Sequence, residues 1–384
     1  TLMGLEENLR KKKSYPEIFE HIGWCTWNGL GHSLSKETIS HALETFKEGG
    51  VIIPNLIIDD GWHSINEKRQ LISFAPVQTK FPEGFSPLIE YLQSNYKVKN
   101  VGAWLTLNGY WNGIDPASDL GEKYSDILFR FVETDMLWIQ SENEVYYVPS
   151  PETADASRFF DEWFQLLKNQ GISFLKVDNQ LVTERIASGE LPVWEAAKNM
   201  HHNLRKPAET HFNSTIINCM DMTNDAFYHF GKSSVARAVE DYFPYHEDET
   251  YNLQKGNAAA HVLSAIYNSL YFSQMVWPDF DMFQTHNPNG EYHAISRAIS
   301  GGPIYLTDTP GEQNFEIIKK LTYDDGRIIR TDQPLLPTED CLFQVQEAKP
   351  FKAFTFIGET GILGVWNAAD ADMVSGSFRA SDIH

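Results

Sequence analysis

An α/β fold, a (β/α)8 (TIM) barrel followed by the start of a C-terminal antiparallel β domain, is predicted by three features of this 384-residue sequence. Eight short apolar segments alternate with helix-period stripes, the order that builds a parallel sheet wrapped by helices. Segments such as LIID and FLKVD are near-continuous apolar runs rather than alternating ones, as strands buried on both faces require. The segments end in tips rich in carboxylates or tryptophans, and a parallel barrel carries its chemistry at the C-terminal ends of its strands.

The first strand is expected over Ile22–Trp27. Ser35 then caps a helix with Thr38 in its first turn and Ile39, Ala42, Leu43 and Phe46 on one face. Asn55–Asp60 is the second strand, followed by a stripe of Leu88, Tyr91 and Leu92 behind Pro87. Val101–Leu107 is the third. Tyr124–Pro151, with VYYV, is longer than an ordinary βα loop and reads as an insertion near the pocket mouth. A helix through Phe159, Phe160, Trp163, Phe164 and Leu167 leads to the fourth strand, Ser173–Asp178. Thr215–Met220 is the fifth, with only a short helix after it at Asn224–Phe230. Ser233–Asp241 is the sixth, followed by a stripe of Val262, Leu263, Ile266, Tyr267 and Leu270. Met275–Phe283 and Pro303–Thr307 complete the set, separated by Tyr292, Ile295 and Ile299 on one face. Trp163 and Trp194 fall on helix stripes and are expected in the core. The barrel is thus placed within residues 1–330, with the insertion near 124–151. Residues 331–384 change to short β-type stretches, CLFQV, FKAFTFI and GILGVW, which read as a β-rich segment that the chain does not complete.

With 42% apolar residues the chain can bury a large core. A formal charge of −21 repels phosphate backbones and anionic lipid, so neither nucleic acid nor membrane is expected as a partner. Cys25, Cys219 and Cys341 show no CxxC or CxxH spacing, which argues against a disulfide framework and fits a reducing compartment. No apolar run reaches membrane-spanning length and the start carries no signal-peptide stretch. A cytoplasmic location is expected, and a homo-oligomer is compatible with the sequence.

Residues two apart in a strand share a face. Lys176 and Asp178 therefore point the same way, and so do Arg237, Val239 and Asp241; this parity favours Asp241 over Glu240 as the pocket acid. Beside Lys176, Asp178 is expected to be held ionised, which suits a nucleophile. Two carboxylates on opposite walls of a pocket are what glycosidic cleavage needs. Asp59 and Asp60 in IIDDGW could accept from adjacent sugar hydroxyls, and Trp24, Trp27, Trp62, Trp104, Trp111 and Trp277 are read as lying at or just beyond strand tips, where a ring can stack on a pyranose. Plainer readings stand beside these. Asp178 could cap a helix, and Lys176 could form a Schiff base, although its acidic surroundings disfavour losing the proton. Asp279, Asp281 and His286, like His201 and His202, have a loose metal-ligand look, but the early HxH pair of a metal-dependent barrel is replaced by WCTW. Asp279 and Asp281 either line the pocket mouth or cap the seventh loop. Asp308 reads as a turn residue, and Cys219 as either a substrate contact or inert packing.

GWCTWNGLG, LIIDDGWHS, WLTLNGYWNG, LKVDNQ, RAVEDYFP and WPDFDMFQTHNPNGEYHAISRAISGGPIYLTDTPG together resemble glycoside hydrolase family 36, in the branch of raffinose synthases, seed-imbibition-type alkaline α-galactosidases and archaeal α-galactosidases. The resemblance runs from about Gly23 to Gly311. It implies Asp178 as nucleophile, Asp241 as general acid/base, Lys176 and Arg237 on the hydroxyls next to the anomeric centre, Asp59 and Asp60 on the axial 4-hydroxyl and 6-hydroxyl, and Trp27 as a wall of the galactose subsite. Trp104, Cys219 and Asp279 join them as expected substrate contacts.

The resemblance implies a retaining α-galactosidase that hydrolyses terminal α-1,6-linked galactose from melibiose- or raffinose-type substrates. Its partner would be a small galactoside or oligosaccharide, with no metal and no cofactor. A galactosyltransferase of raffinose-synthase type or an α-N-acetylgalactosaminidase would use the same residues, and a non-catalytic sugar-binding barrel is the alternative of another class. Two departures stand out. Val239-Glu240 replaces the usual Ser-Asp, and the chain starts almost at the first strand, without the family's preceding β-sandwich. The insertion of plant raffinose synthases is not found, which tilts the expectation towards hydrolysis.

Overall fold

The computed structural model describes residues 8–133, 144–244, 257–343, 349–369 and 371–383. Eight strands form one parallel sheet: β1 (Gly23–Cys25), β2 (Asn55–Ile58), β3 (Asn100–Thr106), β4 (Phe174–Asp178), β5 (Ile216–Asn218), β6 (Val235–Arg237), β7 (Trp277–Asp279) and β8 (Tyr305–Leu306). Seven lie inside their expected segments, and β3 starts one residue before its own, at Asn100. Neighbours follow chain order from β1 to β7, β8 pairs with β1, and a parallel bridge between Phe283 and Leu306 closes the circle. The result is a (β/α)8 barrel.

The outer helices are α1 (Lys36–Glu48), α2 (Ser86–Tyr96), α3 (Ser157–Asn169), α4 (Val193–Phe212), α5 (Asn224–Phe227), α6 (Ala258–Phe272), α7 (Gly290–Ala298) and α8 (Phe315–Leu321). Ser35 and Thr38 form a reciprocal cap at the start of α1, and Ile39, Ala42, Leu43 and Phe46 are buried, as the periodicity requires. Trp194 departs from expectation. It is 65% exposed, because α4 turns Ala196, Ala197, Met200 and Leu204 to the barrel instead. On α7 the apolar stripe misleads in the same way: Ile295 is exposed, while His293 and Arg297 are buried. Arg297 is satisfied there by the Phe280 and Asp281 carbonyls and by His293. Leu270 and Tyr91 are exposed as well.

Two antiparallel hairpins stand beside the sheet. His63–Ile65 with Leu71–Pro76 follows β2, and Leu128–Glu133 with Glu144–Pro149 falls in the stretch read as an insertion. Beyond the barrel, β9 (Leu336–Pro337), β10 (Phe351–Ile357) and β11 (Thr360–Trp366) form an antiparallel sheet. Phe351, Ala353 and Trp366 of this sheet pack with Val262, Ala265 and Ile266 of α6. FKAFTFI and GILGVW are therefore strands. Cys341 instead ends a 3-10 turn and Phe343 is exposed; Gln344 and Val345 lie outside the described residues. Among the described residues no helix is long and apolar enough to cross a membrane.

Candidate active site

The strand ends gather most of the singled-out residues at one mouth. Lys176 and Asp178 on β4 are both buried. Lys176 Nζ donates to Asp59 Oδ2 at 2.8 Å, and the Cys25 thiol donates to the same oxygen at 3.1 Å. Burial alone would lower the Lys176 pKa, but Asp59 beside it holds the ammonium well above its ordinary value. Lys176 is thus a charged member of a buried pair, which excludes a Schiff-base lysine with a depressed pKa.

Asp178 accepts from the Trp104 indole at 2.9 Å through Oδ2 and from the backbone N–H of Asn179 at 2.7 Å through Oδ1. Its carboxyl is pushed up, not down as expected. Burial is the largest cause, Arg237 opposes it and Asp241 reinforces it. Lys176 contributes less than Arg237.

The sixth strand ends at Arg237 rather than running on to Asp241. Arg237 Nη1 still meets Asp241 Oδ1 at 2.5 Å, and Asp281 Oδ2 lies 3.8 Å away. Asp241 is half exposed. Glu240 turns to Asn257, which donates to it at 3.2 Å, so the acid facing Arg237 is Asp241. One strand separates the tips of β4 and β6, a gap of roughly 10 Å at the spacing of paired strands.

Asp60, two residues beyond β2, sits in a cluster of donors that the sequence did not single out apart from Trp111. Tyr110 donates to it at 2.7 Å, Trp111 Nε1 at 3.0 Å, and His32 Nε2 lies at 3.3 Å. Burial would raise its pKa, yet His63 and these hydrogen bonds hold it below its ordinary value. Trp27, Trp111, Asp60 and Asn179 line a cavity of about 300 Å³ with Arg69, Glu133, Tyr146 and Arg185 brought in by the hairpins and the segment after β4. An acceptor-rich floor and two partly exposed indoles give it the character of a carbohydrate site.

Several expectations need correction. Trp104 is 1% exposed, so it orients Asp178 rather than offering a stacking face. Trp24 and Trp62 are buried too, with their indoles on the Asp308 and Trp104 carbonyls. Trp277 stands at the start of β7, beside Tyr15 and Arg10. Asp279 is fully buried; it accepts from Tyr305 at 2.7 Å and from the Asp281 N–H at 2.9 Å, capping the seventh loop, and burial pushes it up to about 6. Cys219 is fully buried at the end of β5, in the field of Arg237 and Asp178, with its thiol raised by burial. Asp308 is a hub, accepting from the Thr285 N–H and hydroxyl and from His286. Asn179, Met220 and Asp281 hold positive φ at three strand ends, a local strain that no sequence motif announced. Among the described residues no group of three or more His, Cys, Asp or Glu could hold a metal ion.

The profile of the family described as "Raffinose synthase or seed imbibition protein Sip1" matches residues 6–80 and 74–381. Among curated relatives, a probable galactinol–sucrose galactosyltransferase 6 from Arabidopsis thaliana is 30% identical, over 98% of this chain and 54% of its own length. A galactinol–sucrose galactosyltransferase from Pisum sativum is 30% identical over 96% of this chain and 51% of its own. The chain spans about half the length of these relatives. Among solved structures, an α-galactosidase from Thermus thermophilus shares the barrel with a TM-score of 0.59 and 16% identity, over 89% of this chain and 66% of that one. This chain belongs to the raffinose synthase or seed imbibition protein Sip1 family.

Proposed function

We propose that this barrel transfers α-galactosyl groups between sugars by double displacement, with retention at the anomeric carbon. The observation that carries the proposal is the bracketing of Arg237 by two carboxylates, Asp241 in direct contact and Asp178 within its field. Asp178 attacks the anomeric carbon as the bond to the leaving oxygen breaks, and Asp241 gives that oxygen its proton. In the second half Asp241 takes a proton from the acceptor hydroxyl, whose oxygen displaces Asp178. Arg237 is the strongest of the cations favouring the ionised nucleophile. Trp104 aims the carboxylate and cannot itself compete as a base, because an indole N–H only donates. Asp60, fixed by Tyr110 and Trp111, is suited to accept from the hydroxyls of a galactosyl ring in the adjoining cavity.

Hydrolysis was the expectation from sequence; transfer is favoured because the relatives aligned along nearly the whole chain carry the names of galactosyltransferases. The hydrolase resemblance is confined to fold at 16% identity. The chemistry of the first half-reaction is common to both, and only the acceptor differs. The deciding experiment supplies galactinol with sucrose, and separately raffinose in water, and resolves the products by chromatography. Formation of an α-galactosylated sucrose is expected. Free galactose as the sole product would return the reading to hydrolysis, and bound galactose without turnover would indicate a sugar-binding barrel.

A further inference from the structure

At the opposite end of the barrel, under the starts of β4, β5 and β6, lies a groove of about 1320 Å³. Among the described residues it is lined by seven lysines and arginines but by two acids. One of those acids, Glu209, is already paired with Lys232. Among the described residues Lys12, Lys198 and Lys206 have no carboxylate within ion-pairing distance. A net-acidic chain has thus sorted positive charge into one concavity, which concentrates potential there.

Two buried donors deepen the groove. His201 is 1% exposed and its Nε2 has no partner among the described residues. Its Nδ1 faces Arg205 Nη2, and since a guanidinium only donates, the imidazole proton belongs on Nε2. Arg205 gives its terminal nitrogens to the Phe230 carbonyl and Gln180, and its Nε has no partner among the described residues. Buried donors of this kind cost free energy unless something accepts from them. Nearby Asp221 is no such partner: among the described residues no side chain donates to its oxygens, and burial raises its pKa to about 8.

We propose that this groove binds a small molecule carrying several phosphate groups, with Lys198, Lys206 and Lys12 on the outer phosphates and His201 and Arg205 reached at depth. A compact ligand suits the site better than nucleic acid. Beyond the groove the chain is acidic, and a long polyanion would be repelled within the Debye length of about 8 Å.

Titration calorimetry with inorganic tripolyphosphate, which contains no sugar and so avoids the galactoside cavity, tests this directly. Saturable binding is expected that weakens with added salt and is unchanged by galactose. The double variant Lys198→Glu, Lys206→Glu alters two exposed positions far from the strand tips. It should bind at least about tenfold more weakly, since each reversal turns attraction into repulsion, while its thermal unfolding and galactosyl chemistry stay as in the parent. Absence of saturable heat at low salt overturns the proposal. So does equal binding by the double variant, or tighter binding of single-stranded RNA or an acidic peptide than of tripolyphosphate.

Discussion

Replacing Lys176 with methionine tests whether the buried pair beneath the cavity is kept for stability or for substrate. Lys176 and Asp59 are 2% and 3% exposed, and their charged atoms lie 2.8 Å apart. Removing one partner leaves the other charge buried and unpaired, at a cost of about 3–5 kcal/mol. That corresponds to a loss of about 150- to 5,000-fold in the folded-to-unfolded ratio and is a large part of a typical stability. The cost should shrink in Lys176→Met with Asp59→Leu, because no charge is then left unpaired; the Cys25 thiol and the Asp60 backbone N–H lose their acceptor. Urea unfolding of the parent, both single variants and the double variant gives the coupling energy. The expected pattern is two strongly destabilised single variants, a double variant near the parent, and no galactosyl turnover in that double variant. A Lys176→Met protein within about 1 kcal/mol of the parent would falsify the assignment of a desolvated pair. A double variant that still turns over would show that the pair does not touch the reaction.

Asp178→Gly should abolish turnover, with azide restoring it as a galactosyl azide; normal activity without azide removes Asp178 from the mechanism. Asp241→Ala should spare substrates with good leaving groups far more than natural galactosides, since activated groups need little protonation; finding this for Glu240→Ala instead would contradict the contact of Asp241 with Arg237. Trp104→Phe deletes the N–H that holds Asp178 and should lower kcat by about 10- to 100-fold, the worth of a hydrogen bond to a charged group, with KM little changed; an unchanged kcat would mean that Asp178 is oriented by other contacts. Asp221 has a folded-state pKa near 8, raised by burial above that of the unfolded chain, so folding takes up a proton and its stabilising effect is complete below the unfolded value and lost as pH rises towards 8. Asp221→Asn should flatten the fall in the urea midpoint over that window, and an identical pH profile in the variant would count against a buried, protonated Asp221.

The alternation of apolar runs and helical stripes settled the barrel from sequence, because parallel strands covered by helices admit few other topologies. All eight strands and the Ser35 cap were legible for that reason. Parity along a strand was enough to favour Asp241 over Glu240, even though the strand itself stops at Arg237. What tertiary structure alone decided is the use of each tip residue. Trp104, Asp279 and Cys219 have the composition of substrate contacts, but packing from neighbouring strands buries them. Buried Arg297 and exposed Trp194 escape a periodicity argument, since burial follows the partners a side chain meets rather than its hydropathy alone. Tyr110 and His32 reach Asp60 from loops remote in sequence, and the rise in the Asp178 pKa needs the solvent-excluding shape of the assembled mouth. Sequence order determines which residues arrive at the ends of the strands; three-dimensional packing determines which of them face the cavity, and therefore which can meet a sugar.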